Sequence, residues 1–107
     1  MTTKKKTMSE KSLSTLEKIT KKKLTVGNLL WSIREGDEIS QVEFARMLEI
    51  SRQYLCDIEH GRRLVSPKMA AFFAEKLGYS VLQFVKLALQ DELEKAGLHY
   101  SVEVKAA

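Results

Sequence analysis

The sequence predicts a single all-α domain of five helices, with an additional short helix before it and a short β-strand after it. Apolar residues recur at helical spacing in five segments, serines precede four of these segments, and glycines follow most of them. The chain has 107 residues, 44% of them hydrophobic, which is enough to bury one core but hardly two. We therefore predict a domain over residues 24–96, between a basic arm at 1–23 and a strand or tail at 97–107.

The first two helices follow from apolar spacing. In the arm, Leu13, Leu16 and Ile19 recur every third residue and predict a short amphipathic helix. The first core helix lies between Leu24 and Glu35, and its apolar face consists of Val26, Leu29, Leu30 and Ile33.

Residues 40–61 predict two short helices that cross at a tight turn. Ser40 and Ser51 stand at N-cap positions, Glu43 adds a capping-box spacing, and Gly61 ends the second helix. The inward positions are apolar or small, as a close crossing requires: Phe44, Ala45, Leu48, Ile50, Leu55 and Ile58.

The last two helices begin at Ser66 and Ser80, and the second of them extends to about Lys95. This final helix is more apolar than a five-helix core requires, and the alternating residues after Gly97 predict a strand that needs a partner. The strand can pair with a second copy or with another protein's sheet edge, and a frayed tail is the alternative. The expected dimer interface consists of Phe84, Leu87, Tyr100, Val102 and Val104.

Charge is unevenly distributed along the chain. Residues 1–24 hold eight lysines against two glutamates, a balance of +6, whereas residues 25–107 hold ten basic against twelve acidic residues, a balance of −2. Affinity for nucleic acid must then come from local placement of basic groups, from the arm, or from both. The arm has two interpretations, a solvated leader or a reader of the DNA minor groove.

Several protein classes are disfavoured. No apolar run approaches the roughly 20 residues of a transmembrane helix, and no signal peptide is evident, so we expect a cytoplasmic protein. The single cysteine, Cys56, cannot form an intramolecular disulfide, and we expect no metal and no cofactor. The sequence has no nucleophile and base at useful spacing and no phosphate-binding glycine loop, so an enzyme is not expected.

The turn region carries a recognisable pattern. Gln41 begins the first helix of the pair, Ala45 lies at the crossing, Ser51 caps the second helix, and the motif I-E-x-G closes it at residues 58–61. This pattern resembles the helix-turn-helix of the Xre family, the lambda-repressor and Cro-like regulators, over roughly residues 24–78. One position departs from the family, which usually has glycine where this chain has Glu49, and a non-glycine residue in a left-handed conformation costs on the order of 1 kcal/mol. The resemblance implies a lambda-repressor-like, DNA-binding fold.

The second helix of the pair, residues 52–60, is the expected recognition helix. Its outer face carries Arg52, Gln53, Cys56 and Asp57. Arginine can pair with guanine, glutamine with adenine and aspartate with cytosine, and by resemblance Arg52 and Gln53 stand where the family reads bases. For Asp57 two interpretations stay open, base reading and an ion pair with Arg62 or Arg63.

Phosphate contacts are expected at both ends of this helix. Gln41 lies at a helix N-terminus, which favours a phosphate, and the family uses this position to hold the DNA backbone. The other expected phosphate contacts are Ser51, Tyr54, Arg62, Arg63 and Lys68. The resemblance also implies a structural ion pair between Arg34 and Glu59.

Two functions follow from these expectations. The first is a homodimeric repressor or activator that places two recognition helices in successive major grooves of a palindromic operator, about 34 Å apart. The alternative is an antitoxin, since many small Xre-like proteins bind their own promoter and neutralise a toxin protein. In that case the first 20 residues or the C-terminal strand is the toxin-binding segment.

Overall fold

The structure, a computed structural model, describes residues 24–107 and contains five α-helices in that range. They are α1 (Val26–Gly36), α2 (Gln41–Leu48), α3 (Arg52–Glu59), α4 (Pro67–Leu77) and α5 (Val81–Lys95). The predicted all-α fold is thereby confirmed. The predicted helix in the arm lies outside the described residues. Between residues 24 and 107, no helix is both long and apolar enough to cross a membrane.

A hydroxyl side chain caps the N-terminus of every described helix. Thr25 Oγ1 accepts a hydrogen bond from the Asn28 N–H at 3.0 Å, and Pro67 occupies the first turn of α4, where its missing N–H is not needed. The other four helices begin at the serines that the sequence predicts as caps: Ser40, Ser51, Ser66 and Ser80. Each cap satisfies a backbone donor that the helix itself leaves unpaired.

The five helices enclose one core around three fully buried phenylalanines, Phe44, Phe73 and Phe84. Helix α1 packs on α3 and α5, α2 packs on α3 and α4, and α4 packs along α5. Helix α3 therefore buries Leu55 and Ile58 against its neighbours while its opposite side faces solvent.

The turn between α2 and α3 has the left-handed residue that the sequence predicts. Glu49 has φ 61° and ψ 39°, and its N–H bonds back to Ala45 and Arg46. Its carboxylate lies 2.6 Å from Lys76 Nζ on α4, so an exposed ion pair holds a residue whose backbone conformation is unfavourable. Ile50 packs on the core from the same turn.

A close approach of backbones joins α1 to α3. A Cβ atom added to Gly27 would lie 2.1 Å from the carbonyl oxygen of Ile58. Only glycine allows α1 to lie this near the C-terminal turn of α3, so Gly27 sets the position of α3 relative to α1.

A buried carboxylate joins α5 to the start of α1. Asp91 is 7% exposed, and its Oδ2 accepts a hydrogen bond from the Val26 N–H at 2.9 Å. A carboxylate at a helix N-terminus satisfies an unpaired donor and interacts favourably with the helix dipole.

The predicted C-terminal strand is wrong for a single chain, since residues 98–107 form no strand. A strand needs a backbone partner, and here one side chain takes that place: Gln90 binds the Tyr100 carbonyl and the Val102 N–H. The alternation nevertheless has a structural counterpart, because Val102 and Val104 are partly buried while the residues between them are exposed.

The expectation that Phe84 lies in a dimer interface is also corrected. Phe84 is 2% exposed and packs in the core of the single chain, with the Tyr79 ring edge-on at 6.1 Å between centroids. The apolar excess of α5 is thus partly explained within the domain, because Val81 and Leu87 also pack on the core.

Candidate nucleic-acid interface

The outer face of α3 carries a hydrogen-bonded cluster centred on Asp57. Gln53 Nε2 donates to Asp57 Oδ1 at 3.0 Å, and Arg62 Nε donates to the same oxygen at 3.0 Å. Arg62 lies in the loop after α3, so the cluster connects this loop to the helix. Of the two interpretations of Asp57, the ion pair with Arg62 is the one present in the structure.

This cluster determines the charge state of Asp57. The Arg62 guanidinium, and to a smaller extent the Gln53 amide, hold the pKa of the Asp57 carboxyl below its ordinary value of 3.8. The same bond raises the pKa of Arg62. Asp57 is therefore a carboxylate at neutral pH, and Arg62 offsets its repulsion of phosphates.

A second set of contacts lies at the N-terminus of α3. Arg52 NH1 donates to Gln41 Oε1 at 3.1 Å, and Gln41 Nε2 in turn donates to Glu59 Oε1 at 3.0 Å. Gln41 thus joins the start of α2 to both ends of α3. Sequence reasoning missed this link, because the three residues come together only after the helices cross.

Below this surface lies the ion pair between Arg34 and Glu59. Arg34 Nε is 2.8 Å and NH2 3.1 Å from the two carboxylate oxygens, and the third Arg34 nitrogen donates to the Ile39 carbonyl at 3.1 Å. The side chains are only 12% and 2% exposed, respectively. The bidentate contact connects α1, α3 and the loop before α2, so its contribution is to the arrangement of helices.

The remaining predicted phosphate contacts are Arg63, Tyr54, Ser51 and Lys68. The Arg63 guanidinium lies over the Tyr54 ring, 4.5 Å from its centroid, and Tyr54 also packs on the core. Ser51 is engaged as the cap of α3, with its Oγ 3.0 Å from the Tyr54 N–H, and Lys68 is exposed at the first turn of α4. These residues lie at the N-cap of α3, on α3 itself or on the elements that follow it.

Cys56 lies on α3 in contact with Arg62 and His60. Its sulfur is 3.5 Å from Arg62 NH2 and 3.5 Å from His60 Nδ1, and the His60 nitrogen is 2.8 Å from the Cys56 carbonyl. Cys56 is partly buried, whereas Arg52 and Gln53 are exposed.

The geometry is that of a helix-turn-helix, a DNA-binding motif. A short helix lies on the surface with an arginine and a glutamine exposed at its N-terminal end, and basic side chains flank it at the loop that follows. Such side chains reach base edges in the major groove, whereas flanking basic groups reach phosphates.

Comparison with known families agrees with this description. A helix-turn-helix family model matches residues 32–84, from the middle of α1 into α5. The chain belongs through this segment to the helix-turn-helix family of the Xre and lambda-repressor type, which is a family of DNA-binding transcription regulators and not of enzymes. The resemblance predicted from the sequence is thereby confirmed. Neither the curated proteins nor the solved structures contain a significant match to the chain.

Proposed function

We propose that the chain is a transcriptional repressor that binds a palindromic operator as a cytoplasmic homodimer, with α3 as its recognition helix. The observation that carries the proposal is the exposed outer face of α3, on which Arg52 and Gln53 are adjacent. The buried ion pair between Arg34 and Glu59 holds the inner side of the same helix. In this proposal Arg52 and Gln53 read bases. Gln41, Arg62, Arg63 and Lys68 contact phosphates.

The contacts give each residue a specific role. Arg52 bonded to Gln41 is held at the helix N-terminus with nitrogens left for guanine O6 and N7. Gln53 gives one N–H to Asp57, which leaves its Oε1 and second N–H for an adenine. Asp57 is thus a positioning residue for Gln53 and Arg62 in this proposal.

The test is binding of the purified chain to a labelled duplex of its own upstream region at 50 and 200 mM salt. We expect Arg52→Ala and Gln53→Ala each to weaken this binding roughly 5- to 150-fold while binding to random DNA changes little, since one bidentate base contact contributes about 1–3 kcal/mol. Gln83→Ala on the exposed side of α5 is the matched control and leaves affinity unchanged. Equal binding of the parent chain to both duplexes would contradict autoregulation.

Removal of the proposed phosphate contacts should give a different result in the same assay. Arg63→Ala and Lys68→Ala should weaken binding to both duplexes alike and reduce the slope of log affinity against log salt by about one each. A reporter gene behind the bound duplex then gives the sign of regulation, and derepression on deletion of the gene is the expected result.

The homodimer is proposed to form through the C-terminal segment and the neighbouring surface of α5, with Leu87, Tyr100, Val102 and Val104 as contact residues. Tyr100 is 67% exposed, which is a large apolar area for a single chain to leave in water. Two subunits would present their recognition helices to successive major grooves.

An antitoxin is the second candidate. The exposed Leu98 and Tyr100 in the C-terminal segment favour it, because they are also suitable for contact with a toxin protein. A toxin-like open reading frame beside this gene, whose product is lethal alone and harmless when both are expressed, would support the antitoxin. If no such frame exists, the repressor alone remains.

A further inference from the structure

The C-terminal segment, residues 98–107, contacts α5 at its start, where the Leu98 N–H donates to the Leu93 carbonyl at 2.9 Å and His99 Nδ1 lies 3.5 Å from Glu94 Oε1, and again at Gln90. Gln90 Nε2 donates to the Tyr100 carbonyl at 2.5 Å, and Gln90 Oε1 accepts from the Val102 N–H at 3.1 Å. A neighbouring β-strand makes the same two bonds to alternate residues of its partner. Gln90 therefore occupies one edge of the segment in the way that a strand would.

No residue between 24 and 107 hydrogen-bonds to the opposite edge of the segment. The Tyr100 carbonyl and the Val102 N–H point to Gln90, so in an extended backbone the N–H and C=O of Ser101 point the other way, and those of Glu103 and Lys105 follow. The alternating burial of residues 101–105 indicates that the backbone is extended there. Within residues 24–107, the backbone groups of Ser101, Glu103 and Lys105 make no hydrogen bond.

We infer that this outer edge pairs antiparallel with the same edge of a second copy, with Glu103 opposite the partner's Lys105. An edge of unpaired backbone groups is a template for another chain, and a two-fold axis makes the two edges identical. The inference deepens the homodimer of the proposed function, on which it rests, by assigning the edge, the direction and the register.

Charge selects the register among the possible ones. Pairing about Glu103 places two carboxylates opposite each other, which is unfavourable. Pairing about Val104 places Glu103 opposite the partner's Lys105 twice, once on each side of the axis, and brings the two copies of Val104 together. Pairing about Val102 places Ser101 opposite the partner's Glu103 and leaves Lys105 without an opposite charge. The register about Val104 is therefore the favourable one.

A charge-reversal experiment tests the pairing in the full-length chain. Glu103→Lys and Lys105→Glu each place like charges opposite each other at two sites, and we expect each to raise the dimer dissociation constant roughly tenfold in analytical ultracentrifugation. The double variant Glu103→Lys/Lys105→Glu restores both pairs and returns the constant to near that of the parent chain. Glu75→Lys, the same charge change at an exposed site on α4, is the control and leaves it unchanged.

Cross-linking tests the register. In a Cys56→Ser background, Val104→Cys should form an intersubunit disulfide on mild oxidation. In this register the two copies of residue 104 are a directly opposed, non-hydrogen-bonded pair, and the Cα atoms of such a pair are about 4.5 Å apart. Val102→Cys should not, since the register separates the two copies of Val102 by roughly 13 Å.

Each outcome decides the inference. Restoration by the double variant together with a Val104→Cys cross-link supports it. A chain that stays monomeric at 100 µM, a dimer that ignores both reversals, or a cross-link at Val102→Cys would overturn it. DNA binding is scored separately with Arg52→Ala, which should leave the dimer intact. A dimer of this kind without DNA binding would refute only the proposed function, and DNA binding by a dimer that ignores both reversals would refute only the pairing.

Discussion

The two sides of α3 carry the same kind of ion pair, which is buried on the inner side and exposed to solvent on the outer side. On the inner side, Glu59 is 2% exposed and accepts hydrogen bonds from Arg34 and Gln41. On the outer side, Asp57 accepts hydrogen bonds from Arg62 and Gln53 in contact with solvent. Each carboxylate binds one arginine and one glutamine, yet only the inner pair joins separate helices.

This difference separates a structural role from a functional one. A buried charge that loses its partner has no water to replace it, so the inner pair must persist for the helices to keep their arrangement. An exposed pair exchanges with water at little cost, so Gln53 and Arg62 can leave Asp57 to make the DNA contacts proposed for them. The inner side therefore holds the helix in place while the outer side remains free to exchange partners.

The largest predicted effect comes from removing the buried ion pair on the inner side of α3. Glu59→Ala removes the buried bidentate partner of Arg34 and leaves it only the exposed Glu35 carboxylate at 3.5 Å, and we expect it to lower the free energy of unfolding by about 3 kcal/mol in urea denaturation. Asp57→Ala, two residues away, should leave the unfolding midpoint close to that of the parent chain. If the two variants unfolded at the same urea concentration, the distinction between the two sides would fail.

A second prediction concerns how close α3 lies to α1. Gly27→Ala places a methyl group against the Ile58 carbonyl, and overpacking of this kind costs roughly 1–3 kcal/mol. Gly61→Ala is the control, because no atom lies within 4 Å of its added Cβ and only the left-handed backbone, at φ 76°, opposes it, which costs about 1 kcal/mol. A crystal structure of Gly27→Ala should show α3 displaced from α1. A milder effect for Gly27→Ala than for Gly61→Ala would contradict the close approach.

A third prediction uses the turn that precedes α3. Glu49→Gly relieves the left-handed strain but loses the exposed contact with Lys76, so we expect a net gain in thermal stability of less than about 1 kcal/mol. Lys76→Ala separates the two contributions, since it removes the ion pair and keeps the strain. A loss of stability in Glu49→Gly would mean that the ion pair outweighs the strain.

The smallest predicted effect concerns the pKa of the Asp57 carboxyl on the outer side of α3. Because the pKa of Asp57 in the folded domain lies below 3.8, its contribution to stability is present above that pH and is lost as the pH falls through the folded value. Carboxyl NMR shifts should show Asp57 titrating below pH 3.8, and Arg62→Gln should move its pKa back toward that value. An Asp57 pKa that does not respond to Arg62→Gln would contradict the assigned cause.

Local patterns in the sequence predicted most of the fold. The serine caps and the apolar spacing of five helices are properties of neighbouring residues, so they can be read before the chain is folded. The predicted pair of short helices follows from the same local rules, whereas the left-handed Glu49 was expected by resemblance, from the glycine that the family usually has there. The Arg34–Glu59 pair was expected only by resemblance, because 25 residues separate its partners.

The features that were missed depend on tertiary contact. Gly27 was not singled out because its close approach to Ile58 exists only after α1 and α3 pack. Phe84 was assigned to a dimer because an apolar helix face does not reveal whether its own domain or a partner covers it. The strand prediction failed for a similar reason, since alternation specifies an extended backbone but not the group that binds its edge.

The bond between Asp91 and the Val26 N–H has a consequence for synthesis of the chain on the ribosome. These residues are 65 positions apart, so the first helix of the domain cannot receive its acidic cap until α5 has been translated. Translation proceeds at about 5–20 residues per second, which places several seconds between the emergence of α1 and the arrival of that carboxylate. The helix-turn-helix domain thus completes its native contacts only after α5 has emerged, and a nascent chain that lacks α5 remains incompletely folded.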